Sequence, residues 1–242
     1  MHPVTEHGRL FPQHRAGQGH LVRSRAVEIT GGAAATAGGA LAVAAERLVA
    51  APALVADLLG GRSPRRLRVA LAVLVDDDGL PAVDPERLRA ALRTAAEVLR
   101  DAAGVTVLGR PGDPVLVRAP APPTALRAPC GRGLLRELFG PAGRFYRAHA
   151  VPGAVTVFGV VQVVGKAGCA PGPVEPWVLV GRAGLDARAD GLTLAHELGH
   201  ACGLPHLGAG GTLMQPGSRG RRRELRDWQR AVLRSSAHVT RR

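Results

Sequence analysis

The sequence predicts an α+β domain built around a mostly parallel β-sheet. Residues 67–109 follow a strand, helix, strand pattern, and a short connection of this kind places the two strands parallel. Two more apolar segments of strand length come later, at 154–164 and 176–183, and two further helical segments follow them. With 242 residues, 46% of them hydrophobic, the chain is long enough to bury a core of its own.

The first half of this domain contains clearly patterned elements. LRVALAVLVDD (67–77) is predicted as a buried strand, because its apolar run is nearly continuous and ends in an acidic turn. The next segment is an amphipathic helix with Asp84 as N-cap and Pro85 at its first position, and VTVLG (105–109) is the second strand. A further helix is predicted over 132–150, with a break at Gly140-Pro141.

The second half contains two strands and two helices. AVTVFGVVQVV (154–164) is predicted as the third strand and PWVLVGRA (176–183) as the fourth. A histidine-rich segment at 193–216 begins as a helix. The last helix is predicted in ELRDWQRAVLRSS (224–236), and its expected buried face consists of Leu225, Trp228, Val232 and Leu233.

Residues 1–66 are expected to form a basic, Ala/Gly-rich N-terminal segment outside the domain of residues 67–242. The apolar run 29–45 is too short and too Gly-rich to cross a bilayer, which needs about 20 mostly apolar residues, so no transmembrane segment is predicted. The run resembles a signal-peptide core preceded by Arg23 and Arg25, which would make the protein secreted. The alternative is a flexible arm or docking helix on a cytoplasmic protein.

The positive charge lies at the ends of the sequence. The net charge is +13, and residues 1–68 hold nine arginines against four acidic residues, while residues 217–242 hold nine against two. No nucleic-acid motif with interleaved aromatic residues accompanies these arginines. We therefore expect no specific nucleic-acid partner, and keep a basic nucleic-acid-binding protein as the least favoured alternative.

The segment TLAHELGHACGLPHLGAGGTLMQP (193–216) carries the chemistry. His196 and His200 are four residues apart and share one face of a helix, where two imidazoles can bind one zinc ion, with Glu197 beside them. Gly203 can end the helix in a left-handed turn that returns the chain and brings His206 to the metal. Three neutral imidazoles leave a fourth position for water, as at a catalytic zinc.

This string resembles the zinc signature of the metzincin metallopeptidases, H-E-x-x-H-x-x-G-x-x-H, and TLMQP is similar to their Met-turn. The eight-residue step from His206 to Met214, with Pro216 two residues beyond, is like the spacing in matrixins. The resemblance implies a metzincin-type catalytic domain with a mixed, mostly parallel twisted sheet, an active-site helix, a Met-turn and a C-terminal helix. It also implies that Gly203, Met214 and Pro216 support the site.

The resemblance and the residues together predict a monomeric zinc metalloendopeptidase that hydrolyses a protein or peptide substrate with one catalytic zinc. Glu197 would act as the general base towards a zinc-activated water. The substrate strand would pair antiparallel with an exposed sheet edge, either the third or the fourth strand. The alternative function is a catalytically silent zinc-binding interaction module.

One feature of the Met-turn departs from related metzincins, and the three cysteines need an interpretation of their own. No tyrosine follows the Met-turn, so the charge of the transition state would rest mainly on zinc. Cys130 lies only 66 residues before His196, too close to serve as an inhibitory propeptide cysteine. Cys130 and Cys169, both in predicted loops, would form a disulfide in an exported chain, whereas Cys202 is expected to be a buried apolar residue.

Overall fold

The computed structural model describes residues 54–55, 63–130, 139–173, 175–185, 191–206, 211–215 and 223–241. The predictions for residues 1–53 and for Pro216 lie outside these ranges. The strands are β1 (Arg65–Leu74), β2 (Val105–Gly109), β3 (Val115–Val117), β4 (Arg127–Pro129), β5 (Val155–Gly159), β6 (Gln162–Val164), β7 (Gly168–Cys169), β8 (Trp177–Val180) and β9 (Val239–Arg241). The helices are α1 (Pro85–Ala103), α2 (Pro123–Leu126), α3 (Pro141–His149), α4 (Leu192–Ala201) and α5 (Asp227–Arg234), with a 3₁₀ turn at Arg182–Leu185.

The main sheet is mixed and mostly parallel, as predicted. Its strand order is β2-β1-β5-β8-β7, and β3 and β9 also pair with β1. The pairs β1–β2, β1–β3, β1–β5 and β5–β8 are parallel, whereas β7 runs antiparallel to β8 and β9 antiparallel to β1. The short strand β7 is therefore an edge of this sheet.

Both faces of the sheet are buried, because alternate residues of each central strand point to opposite sides. On β1, Leu71 and Val73 belong to the core under α1, α4 and α5, while Leu74 belongs to a second core. The second core also contains Phe158 of β5 and Tyr146 of α3. Helix α4, which carries the histidine motif, thus packs on the same face as α1.

Helix α1 has the predicted capping. The Asp84 side chain accepts a hydrogen bond from the backbone N–H of Glu86 at 2.9 Å, and Pro85 occupies the first helical position. At the other end, two arginines of α5 donate to the last carbonyls: Arg230 to Ala102 at 3.0 Å and Arg234 to Ala103 at 3.1 Å. These arginines therefore stabilise the fold, because cations are favoured at the C-terminus of a helix.

The third predicted strand, 154–164, is two strands in the structure. β5 ends at Gly159, and β6 then leaves the main sheet to pair with β4 in a separate two-stranded parallel sheet. The prediction of one strand was wrong because Val160 and Val161 continue the apolar run although the chain changes its pairing partner there. The β4 strand itself, like β3, β7 and β9, was not predicted.

The C-terminal helix is shorter than predicted and its buried face differs. It begins at Asp227, so Leu225 precedes it, although that side chain is buried. Leu233 is fully buried, but Trp228 is 38% exposed and was wrongly assigned to the buried face. The predicted buried face was counted from Leu225 as if that residue were helical, and this placed Trp228 on the wrong side of the helix.

The predicted helix over 132–150 is observed from Pro141, directly after the expected break, while 131–138 lie outside the described residues. β1 begins at Arg65, before the predicted start of the strand. Among the helices described, none combines the length and the hydrophobicity needed to cross a membrane.

Candidate metal centre and active site

Helix α4 presents the first two histidines, and the turn at its end presents the third. The helix ends in a Schellman motif: the Gly203 N–H donates to the His200 carbonyl at 2.8 Å, and the Leu204 N–H donates to the Gly199 carbonyl at 2.9 Å. Gly203 has φ +84°, in the left-handed region that favours glycine. The predicted reversal of the chain at this glycine is therefore present, and it carries His206 back over α4.

The Nε2 atoms of the three histidines converge. His196 and His200 Nε2 lie 3.1 Å apart, His196 and His206 Nε2 3.1 Å, and His200 and His206 Nε2 2.9 Å. His196 and His200 are half-buried, whereas His206 is exposed. The structure thus brings together the three residues that sequence spacing selects.

Backbone carbonyls fix the orientation of two of these rings. His196 Nδ1 donates to the Leu213 carbonyl at 2.7 Å, and His200 Nδ1 donates to the Leu204 carbonyl at 2.6 Å. A carbonyl oxygen can only accept, so in the neutral rings the proton is on Nδ1 and the Nε2 lone pair is free. Two bare lone pairs therefore face each other, an arrangement that a bound cation would stabilise.

The surroundings favour neutral imidazoles. Burial lowers the pKa of His200 to about 3, with the His196 and His206 rings adding to the effect. Burial also lowers the pKa of His196 and of His206. Neutral imidazole is the form that binds metal, so protons compete weakly for these ligands.

The donor set fits zinc. A tetrahedral zinc with bonds of about 2.0–2.1 Å to nitrogen separates its ligand nitrogens by about 3.3 Å, close to the observed 2.9–3.1 Å. Three imidazoles are a ligand set found at catalytic zinc. The remaining ring nitrogens of His196 and His200 have the backbone partners expected of metal-bound histidine.

Glu197 is buried beside the histidines, with 8% of its surface exposed. Burial raises the pKa of Glu197 to about 8, while the charge of Lys166 and a hydrogen bond from the Ala170 backbone act in the opposite direction. A Cβ atom on Gly168 would lie 2.8 Å from Glu197 Cγ and 3.1 Å from Oε1. The backbone of β7 therefore forms the wall against which this carboxylate packs.

Met214 lies beneath the histidine helix and is fully buried. A Cβ atom on Gly199 would lie 2.7 Å from Met214 Sδ, so the glycine is what allows this close approach. The neighbouring Leu213 supplies the carbonyl that orients His196. Leu213 and Met214 thus both contact helix α4, through the His196 ring and through Gly199.

Two of the three cysteines form a disulfide at strand β7, on the face of the strand that points away from Glu197. Cys130 and Cys169 form a disulfide with a Cα–Cα distance of 6.1 Å. This bond ties β7 to the end of β4, and Cys169 points into the second core. Cys202 is fully buried in the first core, as expected from its position on the far side of the helix.

Two residues near the site were not identified from the sequence, Lys166 and Gly168. Gly168 belongs to a two-residue strand, which is too short to show a periodic pattern. Lys166 carries one signal that was available: it is the only lysine in a chain whose other basic side chains are arginine and histidine. Its meaning depends on which elements lie nearby, and only the structure shows that.

No protein-family profile matches the sequence, and no curated protein matches it at a significant level. Among solved structures the chain is similar to archaemetzincin from Methanopyrus kandleri, with a TM-score of 0.38 and 18% sequence identity. That match covers 68% of this chain and 86% of the archaemetzincin chain. The function proposed below therefore rests on the residues of the present chain.

Proposed function

We propose that this protein is a zinc-dependent metalloendopeptidase of the metzincin type, with a matrixin-like site. The observation that carries the proposal is the convergence of three histidine Nε2 atoms within 3.1 Å of one another, next to a buried glutamate. His196, His200 and His206 would hold one zinc ion. When bound, zinc supplies a Lewis acid that polarises the substrate carbonyl and lowers the pKa of water.

Glu197 is the proton carrier in this proposal. Its carboxylate takes the proton from the attacking water and passes it to the leaving amine of the cleaved peptide bond. Burial raises the pKa of Glu197 to about 8, and a zinc ion beside it would lower that pKa again towards neutral pH, where a general base works best. Contact with the β7 backbone limits the rotamers that this side chain can adopt.

Strand β7 is the proposed substrate-binding edge. Along an antiparallel strand, successive residues direct their N–H and C=O groups to alternate sides. The Ala167 carbonyl accepts from Gly181 at 3.1 Å, towards β8, so the backbone groups of Gly168 face the other side. An extended peptide could pair there, directly beside Glu197. The sequence left the third and the fourth predicted strands open as substrate edges, and this proposal names β7 instead, which pairs with the fourth.

The disulfide supports export as part of the proposal. A bond between Cys130 and Cys169 persists in oxidising compartments and is rare where thiols are kept reduced. We expect the protein to function outside the cytoplasm. Mass spectrometry of the native protein, with and without reduction, would measure both the disulfide and the N-terminus.

Replacement of Glu197 by Gln tests the function. Glutamine is nearly isosteric but cannot accept the proton, so hydrolysis of an unfolded protein or a quenched peptide should fall by at least about a hundredfold at equal zinc content. Glu97→Gln is the matched control, because Glu97 is exposed on α1 and remote from the histidines in sequence. Near-parental hydrolysis by zinc-loaded Glu197→Gln would refute the role of Glu197. Zinc binding without hydrolysis in the parent protein would instead favour the silent binding module.

A further inference from the structure

Strand β7 supplies the backbone that the Glu197 side chain packs against. Gly168 is buried, and a Cβ atom there would lie 2.8 Å from Glu197 Cγ and 3.1 Å from Oε1. The backbone N–H of Ala170, two residues further on, donates a hydrogen bond to the same carboxylate. Cys169 lies between these two residues in the chain. A shift of its backbone would therefore move both groups that hold the carboxylate.

The pairing that keeps β7 in the sheet is short. β7 has two residues, and its ladder with β8 consists of Gly168 opposite Val180 and Cys169 opposite Leu179. Cys169 is thus the last residue of the ladder, and the other edge of β7 pairs with no strand among the described residues. The ends of secondary-structure elements open at the lowest cost in free energy, so hydrogen bonding alone restrains this end of β7 weakly.

The turn before β7 is fixed by close backbone packing. A Cβ atom on Gly184 would clash with the Ala167 carbonyl oxygen, and a Cβ atom on Gly181 would lie 2.9 Å from the Val163 nitrogen. The Gly181 N–H also donates to the Ala167 carbonyl at 3.1 Å. The chain therefore enters β7 from a fixed position, and the freedom that remains lies at the far end of the strand, at Cys169.

The disulfide restrains that far end. Cys169 is bonded to Cys130 with a Cα–Cα distance of 6.1 Å, and it is 2% exposed in the second core. Cys130 directly follows β4, which pairs in parallel with β6, and Ala128 of β4 is buried in the same core. The bond therefore attaches the last paired residue of β7 to a strand that the core holds, on the face opposite Glu197.

The disulfide thus lies one residue from each backbone group that contacts Glu197. We propose that Cys130 and Cys169 are positioning residues, whose disulfide holds β7 against Glu197 and so keeps its carboxylate in place for proton transfer. This inference rests on the proposed peptidase function. A displacement of about 1 Å in a reacting group can lower the rate about a hundredfold. The carbonyls of Leu213 and Leu204 orient two of the histidines, so the disulfide acts on the carboxylate and not on the proposed metal ligands.

The kinetics of Cys130→Ala/Cys169→Ala, at a temperature where it is fully folded, give the first test. This double variant should keep one zinc ion per chain while kcat falls by about 10- to 100-fold, with a smaller effect on KM. Its Tm should fall by roughly 5–15 °C, because the cross-link no longer restricts the unfolded chain. Unchanged kcat, a change confined to KM, or loss of zinc would overturn the proposal.

Val117→Ala is the matched control for a loss of stability. It removes buried apolar groups from the second core at β3, on the far side of β1 from β7, and its kcat should stay at the parent value. An equal fall of kcat in Val117→Ala and in the double variant would overturn the proposal, because it would show that any loss of core stability lowers the rate.

A double-mutant cycle with Gly168→Ala shows whether the disulfide acts through β7. Gly168→Ala already displaces Glu197, so removal of the disulfide from that variant should lower kcat by less than about threefold. If the disulfide acted elsewhere in the protein, the two losses of rate would multiply, and multiplied losses would overturn the proposal.

Hydrogen exchange tests the same link without turnover. In Cys130→Ala/Cys169→Ala, the amides of β7 and of Ala170 should exchange at least about tenfold faster than in the parent protein, because the far end of the strand opens more often. In Val117→Ala the same amides should exchange at the parent rate, since local opening of an edge strand does not require the core to unfold. Equal exchange of β7 in the double variant and the parent protein would overturn the proposal.

The outcomes separate the two proposals. If the parent protein hydrolyses peptides and the double variant equals it, the peptidase function stands and the role of the disulfide falls. If the parent protein hydrolyses nothing at full zinc content, the peptidase function fails and the positioning role fails with it, whatever the exchange result. A lower kcat with retained zinc and faster exchange of β7 supports both.

Discussion

The Glu197 carboxylate packs against backbone, which makes residue 168 sensitive to a single added carbon. Any Cβ at this position would lie 2.8 Å from Glu197 Cγ, closer than real Cβ contacts occur. The histidines do not depend on this contact, because backbone carbonyls of Leu213 and Leu204 orient two of them. The positions of the carboxylate and of the proposed metal ligands are therefore separable by mutation.

Gly168→Ala should lower peptide hydrolysis by at least about tenfold while zinc content stays at one ion per chain, because Glu197 must move and the histidines need not. Gly109→Ala is the matched control, since a Cβ there meets Leu92 at an ordinary 3.6 Å. Gly168→Ala with the activity of the parent protein, and with Glu197 unmoved in its crystal structure, would contradict the claim that the β7 backbone fixes the position of this carboxylate.

Gly203 controls the third histidine through backbone conformation. An L-residue at φ +84° costs roughly 1–2 kcal/mol, and asparagine tolerates the region better than alanine. We expect stability and zinc affinity to rank Gly203, then Gly203→Asn, then Gly203→Ala. The alanine variant should melt roughly 2–8 °C lower, measured by calorimetry on zinc-loaded samples. Equal melting of the asparagine and alanine variants would argue against conformational strain as the cause.

Strand β1 organises the elements, because four strands pair with it. Its first three residues, Arg65–Leu67, pair with β2 on one side and with β9 on the other. Arg234 of α5 adds a hydrogen bond to the Ser63 carbonyl at 2.8 Å. The N-terminal end of β1 therefore joins the sheet to the C-terminal end of the described chain.

Truncation from the N-terminus should show a sharp threshold. Removal of residues 1–62 leaves both ladders intact, whereas removal of 1–67 deletes the whole β1–β9 ladder, three of the five β1–β2 pairs and the fully buried Leu67. Burial of one leucine contributes about 1.5–3 kcal/mol, so the shorter protein should lose at least that free energy of unfolding in urea. Equal stability of the two truncated proteins would mean that β9 and β2 do not depend on this end of β1.

At the scale of the whole molecule, a bound metal would join α4 to the turn that follows it. His196 and His200 lie on the helix and His206 beyond its end, so zinc would bind the folded chain and stabilise it by mass action. Arg230 and Arg234 of α5 bind backbone carbonyls of α1, so part of the net charge of +13 comes from arginines with a structural role. These contacts weaken the case for a nucleic-acid surface on α5.

Zinc at a hundredfold excess over its Kd should add about 2.7 kcal/mol of stability and raise Tm by roughly 5–10 °C. His200→Ala should abolish this rise, because it removes one of the three ligands. His149→Ala is the control: that ring binds the Phe145 carbonyl at 2.9 Å on α3, so zinc should still raise Tm. A full zinc-induced rise in His200→Ala would contradict the assigned ligand set.

The sequence alone determined the features that depend on residues close together in the chain. Helix spacing placed His196 and His200 on one face, Gly203 specified the turn that returns His206, and Asp84 with Pro85 marked the start of α1. The parallel pairing of β1 and β2 followed from the intervening helix, because a short crossover leaves little choice of direction. Local conformational preferences and side-chain periodicity are enough for each of these.

Only the tertiary structure decided which strand forms the edge beside Glu197. β7 has two residues, and β6 continues the apolar run of β5, so neither strand differs locally from its surroundings. Strand partners are chosen by contacts between residues far apart in sequence, and no local pattern encodes them. For the same reason the contact between Gly168 and Glu197 emerged only when β7 was placed against α4. Tertiary packing decides which residues surround a side chain, whereas the sequence alone fixes its spacing from residues nearby in the chain.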